Sequence, residues 1–209
     1  MMSKLLLLCL LLLSAGVSPA VAYRPFITED AGVAGKGVFQ TEASWDYYRW
    51  KNGDRDQIYL LVAPIYGPSE RLELSAEIPA VVRQYASGGS VEGFWDINLV
   101  AKYVLVWEND DKKEALFALK GVIKPDSGDY ARNLGRGDTE YSIIGVLSES
   151  IFSTLTIHGQ FGYTWAVEKK NPHLGNYYLF GIAADYALRE PFHFVAEYVD
   201  QGNPDKTEE

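Results

Sequence analysis

The sequence has almost no cysteine and no long apolar run. Its only cysteine is Cys9, which lies inside a leucine-rich stretch near the start. Beyond that stretch the chain can therefore form neither a disulfide-stapled fold nor a cysteine-bound metal site. The stretch itself, Leu5 to Leu13, is shorter than the roughly 20 apolar residues that a transmembrane helix needs. No helical membrane anchor is predicted.

Basic charge is also scarce. Lys and Arg number 19 against 28 Asp and Glu, which gives a formal net charge of -9. Nucleic-acid phosphates require a basic surface, so nucleic acid is not expected as a partner.

The first residues contain the three parts of a secretory signal peptide. Lys4 supplies the basic start, the leucine run follows, and Ala20-Val21-Ala22 forms a small-x-small cleavage site. We predict residues 1–22 to be a cleaved signal peptide, 23–36 a periplasmic entry segment and 37–209 a β-barrel domain that is truncated at its C-terminus. The protein is then exported to the cell outer membrane, with lipid as its surroundings.

Apolar and polar residues alternate along nearly the whole chain after Gly37, with Gly, Pro or Asp clusters between the alternating stretches. A period of two predicts strands that have one apolar and one polar face. From Leu72 to Val82, for example, the apolar residues oppose Glu73, Ser75 and Glu77. The predicted strands are about nine in number: 37–50, 56–67, 71–84, 93–107, 113–125, 137–148, 152–166, 175–188 and 191–199.

Strand and loop lengths favour a membrane barrel over its alternative, a soluble β-sandwich. The predicted strands are long enough to cross a bilayer, which takes roughly 9–11 residues, and short and longer connections alternate as they do in outer-membrane barrels. Aromatic residues are predicted at the two membrane interfaces: at the external one Trp95, Trp165 and Tyr177, and at the periplasmic one Tyr66, Trp107 and Phe192. We predict an all-β, antiparallel up-and-down transmembrane β-barrel with ten to twelve strands when complete. The strand that closes the barrel would then not be one of the nine predicted strands, and the N-terminal segment is one source for it.

No catalytic motif or cofactor-binding motif is present, and we predict that the protein is not an enzyme. The histidines, His158, His173 and His193, fall on different predicted elements. A lipid-modifying hydrolase would need a histidine base beside a serine. The candidates are His158 or His193 with a serine such as Ser142 or Ser153. Asp126, Asp129 and Asp138 flank the longest loop without the spacing of a calcium loop. Neither a metal nor a cofactor is expected.

Charged residues of both signs fall on the polar faces of the predicted strands, which would line the barrel lumen. In a small barrel such side chains can either bind one another and fill the interior or border an open path. The candidate selectivity residues are Glu42, Asp46, Glu73, Glu77, Asp96, Lys102, Lys120, Lys124 and Glu140. Glu197 falls on the same face.

Several stretches resemble the outer-membrane family named for the meta-pathway of phenol degradation. In family order they read RPFITEDA at 24–31, GKG at 35–37, YGPSERLEL at 66–74, GFWDI at 93–97 and GRGDTEY at 135–141. The resemblance implies an exported barrel with a transport role that is linked to aromatic compounds, and it carries no catalytic residues.

Three functions follow as hypotheses. The first is a passive channel or transporter for small solutes, with aromatic ones indicated by the resemblance alone. The second is a closed structural or interaction barrel that binds a partner through its external loops. The third is a lipid-modifying enzyme. The oligomeric state is left open.

Overall fold

The computed structural model describes residues 27–109, 114–167, 170–189 and 192–202, and within these ranges all side chains except those of 59–62. The predicted signal peptide lies outside the described residues. The regular structure in these ranges is almost entirely β, with one turn of 3₁₀ helix at Tyr130–Arg132. No helix in the described ranges is long and apolar enough to cross a membrane.

Ten strands form one antiparallel sheet, with the order β1-β2-β3-β5-β6-β7-β8-β9-β10 and with β4 paired to β3. The predicted all-β, antiparallel up-and-down class is confirmed. The strands are β1 Phe39–Arg49, β2 Arg55–Tyr66, β3 Leu72–Gln84, β4 Ser90–Phe94, β5 Asn98–Asn109, β6 Glu114–Lys124, β7 Thr139–Phe152, β8 Leu155–Val167, β9 Tyr177–Arg189 and β10 Phe192–Gln201.

The fourth predicted strand is two strands in the structure, which accounts for ten rather than nine. β4 pairs with residues 80–84 of β3, and β5 pairs with residues 72–77 of the same strand. Between them the backbone N–H of Trp95 still donates to the carbonyl of Pro79 at 2.9 Å. Asp96 interrupts the alternation because its fully buried carboxylate accepts hydrogen bonds from a loop.

The sheet has two different faces. We call the face that carries Glu73 and Lys102 the inner face and the opposite one the outer face. Glu73 and Lys102 are 5% and 2% exposed, whereas their outer-face neighbours Leu74 and Tyr103 are each 44% exposed. The period-two alternation of the sequence therefore appears as buried polar residues on one side and exposed apolar residues on the other.

Residues 27–34, here called the inner segment, lie across the inner face. The segment contacts Glu197 of β10 near its start and Glu73 of β3 near its end. Six strand spacings of ~4.8 Å would separate those strands by about 29 Å in a flat sheet. The backbone from Thr28 to Ala34 can extend only about 22 Å, so the sheet curves around the segment.

Strands β1 and β10 stand at the two edges of the sheet within the described residues. The prediction that the N-terminal segment could supply a closing strand is not met by its described part. Its backbone crosses the strands on the inner face instead of pairing with an edge, because inner-face side chains bind its peptide groups.

Bulges change which side chains face inward. The β5–β6 pairing shifts register between Val104 and Asn109, and Trp107 packs against the buried core of the inner face instead of an outer girdle. Tyr177 also faces inward, where its hydroxyl donates to Glu140 at 3.3 Å. The prediction that these two residues lie at the membrane interfaces is therefore wrong. Trp165, in contrast, is exposed on the outer face.

Candidate functional site

The candidate site is the inner face together with the inner segment, where polar side chains of the wall bind peptide groups. Glu197 accepts the backbone N–H groups of Ile27 and Thr28 through its two carboxylate oxygens. Gln160 binds the segment with both ends of its amide, accepting from the N–H of Glu29 at 3.2 Å and donating to the carbonyl of Ile27 at 3.2 Å. Because each of these two side chains reaches two peptide groups, both the position and the direction of the segment are fixed.

The remainder of the segment is bound in the same way. Ser148 accepts the N–H of Ala31 at 2.8 Å, and its hydroxyl also forms a 2.8 Å hydrogen bond with Nδ1 of His158. Glu73 accepts the N–H of Ala34 at 2.8 Å. The serine hydroxyl is thus engaged on both sides, which argues for a role in positioning the segment.

Glu29 connects the segment to two buried lysines. Its carboxylate bonds directly to Lys120 of β6, and its other oxygen lies 3.9 Å from Nζ of Lys102. Lys102 is also 3.8 Å from Glu73 and donates to the carbonyl of Asp30 at 3.4 Å. Two lysines are therefore balanced by two glutamates, and one of the glutamates belongs to the segment.

Apolar contacts accompany these charges. Ala31 is fully buried, and Val33 packs beside it. The wall residues that surround these two side chains are Val104, Trp107, Ala115, Ala118, Ile144 and Val146. At the opposite end of the segment, Gly181 lacks the side chain that would overlap the hydroxyl of Thr28 and the amide of Gln160. The wall is thus shaped to accept the segment closely.

A second ionic group lies nearer the long loops. Glu140 is almost fully buried and bonds to Lys124, while Nε of Arg136 lies 3.4 Å from its other oxygen. The guanidinium of Arg136 also lies 5.6 Å from the ring centre of Tyr177, within the range of a cation–π contact. These contacts join β6, β7 and β9 at the end of the sheet that carries the long connections.

Two buried aspartates organise the long loops. Asp96 accepts N–H groups from Ser127, Gly128 and Arg136 at 2.7–3.0 Å. Asp138 accepts the N–H groups of Lys170 and Asn171 at 2.7 and 3.2 Å. Charge-assisted bonds of this kind are about twice as strong as neutral ones, so these carboxylates act as anchors for the loop segments 125–138 and 170–176.

The two anchored loops also touch each other, because Lys170 forms an ion pair with Asp126. This bond raises the pKa of Lys170, whose side chain is exposed, above its ordinary value. Among the described residues, no group of three or more metal-binding side chains is present.

The structure distributes the nine predicted selectivity residues over several places. Glu73, Lys102 and Lys120 meet at the inner segment, Lys124 and Glu140 form the ionic group near the loops, and Asp96 anchors a loop. The others lie toward the β1 edge: Glu77 accepts a 2.7 Å hydrogen bond from Asn98, Glu42 is half-buried on β1, and Asp46 is exposed there.

Sequence reasoning missed two of the residues that hold the segment. The alternation of the sequence places Gln160 on the polar face of its strand, but nothing in the sequence marks it as a ligand for peptide groups. Glu29 lies in a segment without alternation, so its pairing with Lys120 had no sequence signal. Of the residues named for the hydrolase hypothesis, Ser142 bonds to Thr164 and His193 to Asp185, while His158 bonds to a serine that the sequence did not single out, Ser148.

Comparison with known proteins identifies a family. No curated protein matches the chain. The family described as "Putative MetA-pathway of phenol degradation" matches residues 22–209. Since this match covers most of the chain and includes every segment that carried the resemblance, the protein belongs to that family.

Proposed function

We propose that the chain is a non-enzymatic outer-membrane protein whose strands cross the bilayer and whose inner face borders a path for small solutes. The observation that carries the membrane assignment is the inverted arrangement of its two faces. Buried lysines and glutamates lie on the inner face, and large apolar side chains are exposed on the outer face. Water on the outer face would disfavour this arrangement, whereas hydrocarbon would favour it.

Strand length supports the same assignment. Apart from β4, each strand has 10 to 14 residues. Such strands reach across a hydrocarbon layer when tilted, for which about 9–11 residues suffice. The predicted signal peptide supplies the route of export.

The transport part rests on the inner face and on the family. Charged groups of both signs lie there, several of them in ion pairs, so the surface can contact polar solutes. The family description concerns phenol degradation, which supports a small aromatic solute.

A charge on the outer face tests the membrane assignment. Phe161 lies at the middle of β8 and is 61% exposed. In lipid, Phe161→Arg should lower the free energy of unfolding by about 2–4 kcal/mol, because the cation would sit in hydrocarbon. Urea unfolding in vesicles measures this, with Phe161→Leu as the matched control. In a soluble protein the same exposed position would tolerate arginine, so equal stability of the two variants would contradict the assignment.

Flux into vesicles tests transport. Phenyl glucoside and benzenesulfonate are a neutral and an anionic aromatic compound that cross bare lipid slowly. We expect vesicles that contain the protein to take up at least one of them faster than protein-free vesicles. If uptake is equal with and without protein, including in variants that release the inner segment, the transport proposal is wrong.

The second candidate is a closed interaction protein, and the crossing of the inner face by the inner segment favours it. In that case the loops anchored by Asp96 and Asp138 would present a fixed binding surface. No variant should then conduct solute, and replacing Asp96 should weaken binding to a partner protein.

A further inference from the structure

We propose that the inner segment, residues 27–34, is a displaceable plug that must leave the inner face before solute can pass. This inference rests on the proposed transport function. It assigns a gating role to a part of the chain whose sequence indicated a periplasmic entry segment or a source of the closing strand.

The position of the segment is the first argument. It runs across the strands from Glu197 on β10 to Glu73 on β3, and the sheet curves around it. A backbone that crosses the strands on a curved inner face occupies the cross-section through which a solute would move.

The way the segment is held is the second argument. Wall side chains bind its backbone through Gln160, Glu197, Ser148 and Glu73, and Lys120 binds its Glu29 side chain. A strand paired in the sheet is bound through a continuous backbone ladder, and its removal would open the sheet. Side-chain bonds can be exchanged for water or solute while the strand pairing of the wall stays intact.

The fit of the segment is the third argument. Glu29 balances Lys120 and Lys102, Ala31 fills the apolar contact, and the absence of a side chain at Gly181 leaves space for Thr28. These features make the seated state well defined, so seated and displaced states should be distinct and measurable.

A reversible tether tests whether the segment must move. The chain after Cys9 contains no other cysteine, so Thr28→Cys with Gly181→Cys introduces a single pair at a point of direct contact. A Cβ at position 181 would lie against Oγ1 of Thr28, which is the position that the sulfur of Thr28→Cys would take, so the two thiols can come close enough to form a disulfide. The protein is assembled in vesicles, oxidised, and assayed for phenyl glucoside and benzenesulfonate uptake before and after reductant.

We expect uptake by the oxidised pair to be at least tenfold slower than by the same protein after reduction. Thr28→Cys alone and Gly181→Cys alone are the matched controls, and reductant should leave their uptake unchanged. Equal uptake by the oxidised and reduced pair would overturn the proposal, because solute would then pass a fixed segment.

A second measurement follows the segment without using flux. The thiol introduced by the single substitution Thr28→Cys is labelled with a membrane-impermeant maleimide, and the rate is compared after adding Glu197→Gln with Gln160→Ala. We expect labelling at least tenfold faster when these two binding side chains are changed. Glu77→Gln, on the inner face but bonded to Asn98, is the control that should leave the rate unchanged.

The two measurements separate the plug from the transport function. Faster labelling without solute uptake in any variant would show that the segment can be displaced in a protein that does not transport. The proposed transport function would then be wrong, and so would the gating role of the segment. An unchanged labelling rate would overturn the plug even if uptake is observed.

Discussion

Neutralising Glu29 should destabilise the seated inner segment more than any other single change of charge on the inner face. Glu29 is almost fully buried. It bonds to Lys120 and lies 3.9 Å from Lys102, whose other carboxylate partner, Glu73, is 3.8 Å away. In Glu29→Gln the side chain keeps its size, but Lys120 loses its carboxylate partner and Lys102 keeps only Glu73.

The magnitude follows from these distances and from burial. At an effective dielectric constant of about 20, two unit charges about 4 Å apart attract by about 4 kcal/mol. Desolvation offsets part of that attraction in the intact pair, but removal of one partner leaves a buried charge without compensation. Breaking a buried pair in this way typically lowers stability by about 3–5 kcal/mol. We expect a loss near the lower end for Glu29→Gln, because Glu73 remains beside Lys102.

The assay is a double-mutant cycle with Lys120→Met, measured by urea unfolding in vesicles. Glu29→Gln and Lys120→Met should each lower the free energy of unfolding. The double variant contains neither charge of the direct pair, so its loss should be smaller than the sum of the two single losses by about 2 kcal/mol, within the range seen for residues in direct contact. Strictly additive losses would refute the argument that Glu29 and Lys120 stabilise each other on the inner face.

Two further predictions concern the loops and the turn end of the sheet. Asp96→Ala should leave three loop N–H groups without their acceptor, which lowers stability by about 1–3 kcal/mol for each group that stays buried. Trypsin should therefore cleave loop 125–138 faster than in the unchanged protein. An equal cleavage rate would contradict the anchoring role. Gly67→Ala would place a Cβ against the carbonyl of Gly35 and should lower the free energy of unfolding by about 1–3 kcal/mol. The control is Gly159→Ala, whose Cβ would meet nothing within 4 Å and should leave stability unchanged or raise it. Urea unfolding in vesicles measures both variants.

Much of the sheet could be predicted because strand formation depends on local alternation. Residues 72–82 illustrate this: their period-two pattern predicted which side chains share a face, and β3 carries Glu73 inward and Leu74 outward. The prediction was poorer where the alternation is broken. The bulges near Trp107 and the interruption at Asp96 arise from contacts with the inner segment and a loop, both distant in sequence.

The candidate site was predictable only in part for the same reason. Parity placed Lys102, Lys120 and Glu73 on one polar face, but it did not show which charges would meet. Asp96 was grouped with these residues, although its carboxylate is used by the backbone of a loop. Parity describes the direction of a side chain, whereas partners depend on which strands become neighbours.

The sequence by itself determined the all-β class, the family and the division of each strand into an apolar and a polar side, because these properties depend on composition and on the two-residue repeat of an extended chain. Only the tertiary structure decided that residues 27–34 cross the inner face and that Glu29 meets Lys102 and Lys120. Those contacts join residues 73 and 91 positions apart, and they form because burial of a lysine on the inner face requires a carboxylate that the curved sheet brings within reach.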